Sequence, residues 1–208
     1  MKLETIYNDL VDIMNNDMDF MKMTKLKNKL EQVIRDETCY KTTSKTRVNA
    51  IKKVASKVEY RPALMGYGIC DDFKCVTDSY HAIMIHEENM PLKLVTTDDE
   101  LINKVGKENA IYQTYPNFEH FINFDKTNYD VSTLDYDDIA QFYKLHKKNA
   151  DDELYEIDGK LYNITFIKNV IDVLGENTKV YTSTNDYRPM YIENEKGELG
   201  LVLPVKKY

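Results

Sequence analysis

Four side chains of the kind that hold zinc, Cys70, Cys75, His81 and His86, fall within one stretch of 17 residues. Structural zinc sites are often built on a Cys-x-x-Cys knuckle, and this stretch has none. The two thiols read instead as strand residues either side of Asp71-Asp72, packing as small apolar groups. A third cysteine, Cys39, leaves an odd and sparse set, unlike a disulfide scaffold. Glu156, Asp158 and Lys160 have the alternation of a metal-dependent nuclease, but such a site needs a further acid from a separate element. The pair Asp158-Gly159 explains the same segment as a type I′ hairpin turn, which requires positive φ at both central residues. Gly66-Tyr67-Gly68 lacks the later glycine and the lysine of a phosphate loop. No Gly-x-Ser-x-Gly elbow occurs, and Cys39 and His120 share no spacing that would make a dyad. The residues read as those of a non-enzymatic protein with no catalytic group, metal or cofactor.

Binding is left as the chemistry to look for. Hydrophobic residues are 42% of the 208 and charged residues 30%, so a sizeable core sits under a well-solvated surface. No apolar run approaches the roughly 18 residues of a membrane span. The opening MKLETIYNDL is polar and acidic, so no secretory signal is expected and a cytoplasmic location fits best. The net charge of −7 excludes a simple nucleic-acid coat, which would be basic. Any contact with DNA needs cations gathered on one face.

The elements that would gather them follow from periodicity. Residues 3–14 and 19–35 carry apolar side chains at helical spacing, broken by Asn15-Asn16-Asp17, which predicts a helical hairpin. A third helix is predicted over 46–58, with Val48, Ile51, Val54, Ala55 and Val58 on one face and Arg47, Lys52, Lys53 and Lys57 largely on the other. Arg61-Pro62 stops it. Strand-like runs follow at 63–70, 73–78 and 80–86. The stretch 87–115 reads as a polar connector with a short helix near 98–105. A strand at 129–134 leads to a helix over 135–149, acidic at its start and basic at its end (Lys144, Lys147, Lys148), the order that suits the helix dipole. A fifth helix over 164–174 has Asn163 or Thr165 to cap it and Gly175 to end it. Strands at 178–184, 188–194 and 199–205 close the chain. One helix followed by several strands occurs at 46–86 and again at 164–205. Units of this kind, without βαβ alternation, predict an α+β fold with helices on one side of antiparallel sheets.

Several segments, in order, resemble the bacterial sliding clamp (DNA polymerase III beta subunit) family. Arg61-Pro62-Ala63-Leu64-Met65-Gly66-Tyr67-Gly68-Ile69 and Cys75-Val76-Thr77-Asp78-Ser79-Tyr80-His81-Ala82 are similar to its middle domain. Ser79, Tyr80, His81 and Ala82 stand where the family has glycine, histidine, arginine and leucine. Tyr115–Asn123 is similar to the link between the middle and last domains. Thr133–Tyr143, Asn163–Leu174, Arg188–Ile192 and Leu201–Lys206 resemble parts of the last domain. The likeness spans roughly 46–208, about three quarters of the chain, and leaves residues 1–45 without a counterpart.

With the hairpin of 1–36 as an extension, the resemblance implies a clamp fold divided into a clamp-like half domain (37–95) and a clamp-like C-terminal domain with its connector (96–208). It implies a DNA-replication accessory protein, a processivity factor whose helices face double-stranded DNA through phosphate contacts alone. On this chain those cations would be Arg47, Lys52, Lys53, Lys57, Lys144, Lys147 and Lys148. It also implies a hydrophobic groove for DNA polymerase or clamp-loader peptides, carried over to Thr77, Ser79, Tyr80, His81, Val202, Leu203, Pro204 and Val205. A homo-oligomer would be needed to close a ring. The alternative is a ring-incompetent module that keeps the groove and sequesters clamp partners.

Overall fold

A computed structural model of the chain describes residues 3–15, 20–58, 60–95, 115–132, 134, 136–146 and 154–206. The order is α1 (Leu3–Asn15), α2 (Phe20–Cys39), α3 (Lys45–Val54), β1 (Gly68–Cys70), β2 (Phe73–Thr77), β3 (His81–Ile85), α4 (Glu119–Ile122), β4 (Asp130–Val131), α5 (Tyr136–His146), β5 (Leu154–Ile157), β6 (Lys160–Asn163), α6 (Ile164–Leu174), β7 (Thr178–Thr182), β8 (Met190–Asn194) and β9 (Leu199–Val202). The fold is α+β with antiparallel sheets. Helix α3 ends four residues before the sequence pattern suggested, because Ala55 turns extended. The run at 63–70 is not one strand: Pro62–Met65 forms a 3-10 turn, since Pro62 fixes φ and lacks the N–H a strand would use. The expected helix near 98–105 lies outside the described residues.

Among the described residues seven strands form one sheet in the order β1-β2-β3-β9-β8-β7-β4, and β5-β6 form a separate hairpin. The hairpin turns at Asp158 (φ 49°) and Gly159 (φ 78°), both in the positive region that a type I′ turn requires. In the main sheet, helix-then-meander occurs twice, as α3-β1-β2-β3 and α6-β7-β8-β9. The two meanders meet at β3 and β9, paired antiparallel with His81 opposite Val202 and Met84 opposite Leu199. Equivalent strands paired antiparallel at the centre, with both helices on one face, give the unit a local two-fold arrangement. The segments read as separate pieces at 37–95 and 96–208 therefore share one sheet and one core.

Helix α6 occupies the middle of that core. Its apolar residues take up most of its circumference, while Thr165, Lys168, Asn169 and Asp172, spaced i, i+3, i+4 and i+7, form one polar stripe. Ile164, Ile167, Val170, Ile171, Val173 and Leu174 are buried. Asn163 caps its start, Oδ1 accepting from the N–H of Thr165 (2.9 Å) and Phe166 (3.3 Å). Gly175, at φ 93°, ends it. Helix α3 lies alongside, and the core between helices and sheet includes Ile51, Val54, Val76, Ile83, Ile85, Val180, Met190, Ile192 and Val202. The opposite sheet face carries Cys75, Ala82, Met84, Tyr181, Tyr191, Leu199 and Leu201. It is covered by aromatic residues of the 115–129 segment, Phe118, Phe121, Phe124 and Tyr129 among them. Being covered on both faces explains why β3 (HAIMI) is buried at every position, an apolar run rather than an alternating strand.

The hairpin of α1 and α2 has its own small core of Ile6, Ile13, Leu26 and Val33. It is tied to the rest through α2: Asp36 pairs with Lys52 of α3 at 2.5 Å, and Gln32 donates to the Pro91 carbonyl at 2.9 Å. No described helix is long and apolar enough to cross a membrane.

Candidate functional site

The strongest polar feature in the interior is centred on Arg47. Its Nε donates to Glu87 Oε1 at 2.6 Å and its Nη2 to Glu198 Oε1 at 2.7 Å. Its Nη1 donates to the Val173 carbonyl at the end of α6. Glu198 also accepts from the His86 N–H (3.1 Å) and from Asn194 Nδ2 (2.7 Å). The Glu198 side chain is 3% exposed and that of Arg47 17%. Burial acts to raise the Glu198 carboxyl. Arg47, with the hydrogen bonds from Asn194 and His86, outweighs it and holds the carboxyl below the usual glutamate range. This network joins α3, the end of β3, α6 and the β8–β9 turn, so it ties one helix-and-meander unit to the other. Arg47 was expected on a DNA-facing surface. It is turned inward instead, because buried Glu198 must have a cationic partner.

The other expected cations divide. Lys52 is occupied by Asp36. Lys53, Lys57 and Lys144 are exposed, while Lys147 and Lys148 lie outside the described residues. Lys168 of α6 is paired with Asp172 one turn on.

The two segments expected to frame a peptide groove are brought together. Leu203 N–H donates to the Tyr80 carbonyl at 2.9 Å, continuing the β3–β9 pairing by one step. Val205 then pairs with Leu161 of β6. Thr77, His81 and Val202 are buried and present no surface to a peptide. Thr77 serves the turn instead, its hydroxyl donating to the His81 carbonyl (2.8 Å) and accepting from the Ser79 N–H (2.9 Å). These bonds close the loop in which Ser79 takes φ 81°. Ser79, Tyr80, Leu203, Pro204 and Val205 keep part of their surface.

A cleft of about 400 Å³ opens beside this turn, walled by the end of α3, the chain leaving it, the β2–β3 turn and the first turns of α6. Its lining takes in Lys53, Lys57, Arg61, Tyr80, His81 and Phe166, and none of Val202–Val205. Two residues expected on DNA and two expected at the peptide groove thus share one wall. Asp78, the one carboxylate lining it among the described residues, is engaged internally. Its Oδ1 accepts from the N–H groups of Tyr80 (2.8 Å) and His81 (3.0 Å) and contacts His81 Nδ1 at 2.9 Å. Burial acts to raise Asp78, and the His81 and backbone hydrogen bonds outweigh it, leaving the carboxyl lowered. The His81 ring lies flat against Phe166, centroids 4.4 Å apart, and its Nε2 has no hydrogen-bond partner among the described residues. Arg61 Nη1 donates to the Asp78 carbonyl (3.0 Å) and to Ser79 Oγ. Its guanidinium carbon sits 5.6 Å from the Tyr80 ring centre, and its Nε is also unpartnered among the described residues.

Arg61 and Phe166 were not singled out by their sequence pattern. Arg61 stood out as part of a helix stop and of a segment resembling the clamps, and Phe166 as one residue of a capped helix resembling theirs, neither with a site role. Of the zinc-type residues, Cys75 is buried in the sheet, its thiol pushed up to about 12 by burial. Among the described residues no three His, Cys, Asp or Glu side chains are grouped to hold a metal ion.

Compared with known proteins, the chain matches no family model, no curated protein and no solved structure. What fold and site define is a class: an α+β domain of two helix-and-meander units on one antiparallel sheet, with a basic, aromatic-walled cleft at one end of its helix pair.

Proposed function

We propose that this protein is a DNA-replication accessory factor resembling the bacterial sliding clamps, which contacts DNA on its helix face and takes short peptides from polymerases or clamp loaders beside the β3–β9 junction. The observation that carries this reading is the doubled helix-and-meander unit. Its helices α3 and α6 pack together on one face of the sheet, the side on which the resembled family meets DNA, and the two groove segments meet on one strand pair. Of the cations expected at DNA, Lys53 and Lys57 beside α3 and Lys144 on α5 are exposed to a phosphate. A peptide would use Leu203, Pro204 and Val205 as apolar contacts next to Tyr80.

One observation favours a second reading. Arg47 is enclosed and Lys52 and Lys168 are paired, so three cations of the helices expected at DNA are engaged, and the chain carries −7 overall. A module that binds clamp partners without encircling DNA fits that balance.

The groove is tested by exchanging Leu203 and Val205 together for alanine. Neither is fully buried, so the variant should keep its cooperative melt. Binding of a fluorescent polymerase-tail peptide should be lost, whereas binding equal to that of the parent would remove these residues from the site.

A further inference from the structure

The cleft at the end of the helix pair has a composition that neither duplex contact nor an apolar peptide groove calls for. Lys53 and Lys57 are exposed, and no hydrogen bond or ion pair engages either ammonium among the described residues. Arg61 adds a third cation and is held in place by the β2–β3 turn. The Asp78 carboxylate does not compete for these cations, since it is tied to His81 and two backbone N–H groups. Beside these cations stands Tyr80, 51% exposed, its ring nearly parallel to Phe166 (13°) and braced by Arg61. An exposed tyrosine held by a guanidinium is a flat surface ready for a second ring.

We infer that this cleft binds a nucleotide unit of single-stranded nucleic acid, its phosphate against Lys53, Lys57 and Arg61 and its base stacked on Tyr80. Phosphates need point cations, and unpaired bases need an aromatic face. The two side by side are how single strands are held without sequence reading. A duplex satisfies only the cations, because its base faces are covered by their neighbours. An acidic peptide also satisfies the cations but has no regular ring to place on Tyr80. The volume of about 400 Å³ lies toward the small end of ligand clefts, which suits one nucleotide rather than a base pair. The site goes beyond the duplex contact proposed above and requires no ring, so a monomer would retain it.

The test is fluorescence anisotropy of a short labelled oligothymidylate, a duplex of equal length and an acidic aromatic peptide, each titrated with the whole protein. The single strand should bind tighter than the duplex. Tyr80→Ala should weaken single-strand binding roughly tenfold, within the range of one lost base stack, and leave the duplex unchanged. Tyr80→Phe should restore binding, because the ring and not the hydroxyl is used. Lys57→Ala should reduce the slope of log affinity for the single strand against log salt by about 0.7. Duplex and single strand bound alike, a Tyr80→Ala variant that binds as well as the parent, or an acidic peptide preferred over the oligonucleotide would each overturn the assignment. Failure to stay on circular DNA would refute encirclement and leave this result untouched.

Discussion

Arg47→Met should destabilise the protein by about 3–5 kcal/mol, the usual consequence of removing one member of a buried ion pair. For a chain of this size that corresponds to a fall in melting temperature on the order of 10 °C. Methionine keeps much of the volume, so the loss is electrostatic: Glu198, 3% exposed at its side chain, would be left as a buried carboxylate without a cation. The pH dependence separates this from a packing defect. In the parent the Glu198 carboxyl is held below its ordinary 4.5. Its contribution is therefore complete above that value and lost as pH falls through the lowered pKa. In the variant burial acts without Arg47, the carboxyl is raised, and protonation relieves the penalty. The stability gap between parent and variant should accordingly narrow as the solution is acidified below about pH 5. Denaturant melts across pH measure this directly. An unchanged melting temperature together with weakened DNA binding would return Arg47 to the DNA-facing set from which its geometry removes it.

Gly200→Val is expected to cost about 1–3 kcal/mol by overpacking. Gly200 sits in β9 where α6 crosses closest. A Cβ there would press into the Val170 side chain and come within 3.2 Å of Leu174 Cδ1. Backbone torsion is not the reason for glycine at this position, since Gly200 is not among the positive-φ residues. Its reason is the short distance between helix and sheet. Valine would force α6 outward, and α6 also packs against α3, so the cleft between them should widen with it. Val170→Ala added to Gly200→Val should recover part of the loss by making room; a double variant no more stable than Gly200→Val would show that the clash lies elsewhere.

Much of the architecture was legible because it is written locally. Asn163 and Gly175 mark the ends of α6, Asp158-Gly159 names its turn, and the apolar spacing of 3–14 and 19–35 gives the hairpin. Repetition of helix and meander was readable too, though not that the two halves share a sheet, since that depends on β3 meeting β9 across more than a hundred residues. Arg47 is the clearest case of what a pattern cannot convey. On a helical wheel it lies with lysines, and its partner Glu198 is 151 positions away. Thr77 and His81 resembled surface groove residues, but the aromatic 115–129 segment, Phe166 and the sheet enclose that region. The cleft was half legible: Lys53, Lys57, Tyr80 and His81 were picked out, but for two different sites. Folding brings the end of α3 to the β2–β3 turn and so makes one wall of them.

The proposed clamp-like role is tested most directly by retention on DNA of differing topology, with the protein's solution mass measured in parallel. The protein should assemble beyond a monomer and remain on nicked circular duplex during gel filtration at moderate salt, and linearising that DNA should release it. A monomer that is not retained on circular duplex yet still captures polymerase-tail peptides would contradict encirclement and leave the partner-binding module as the function.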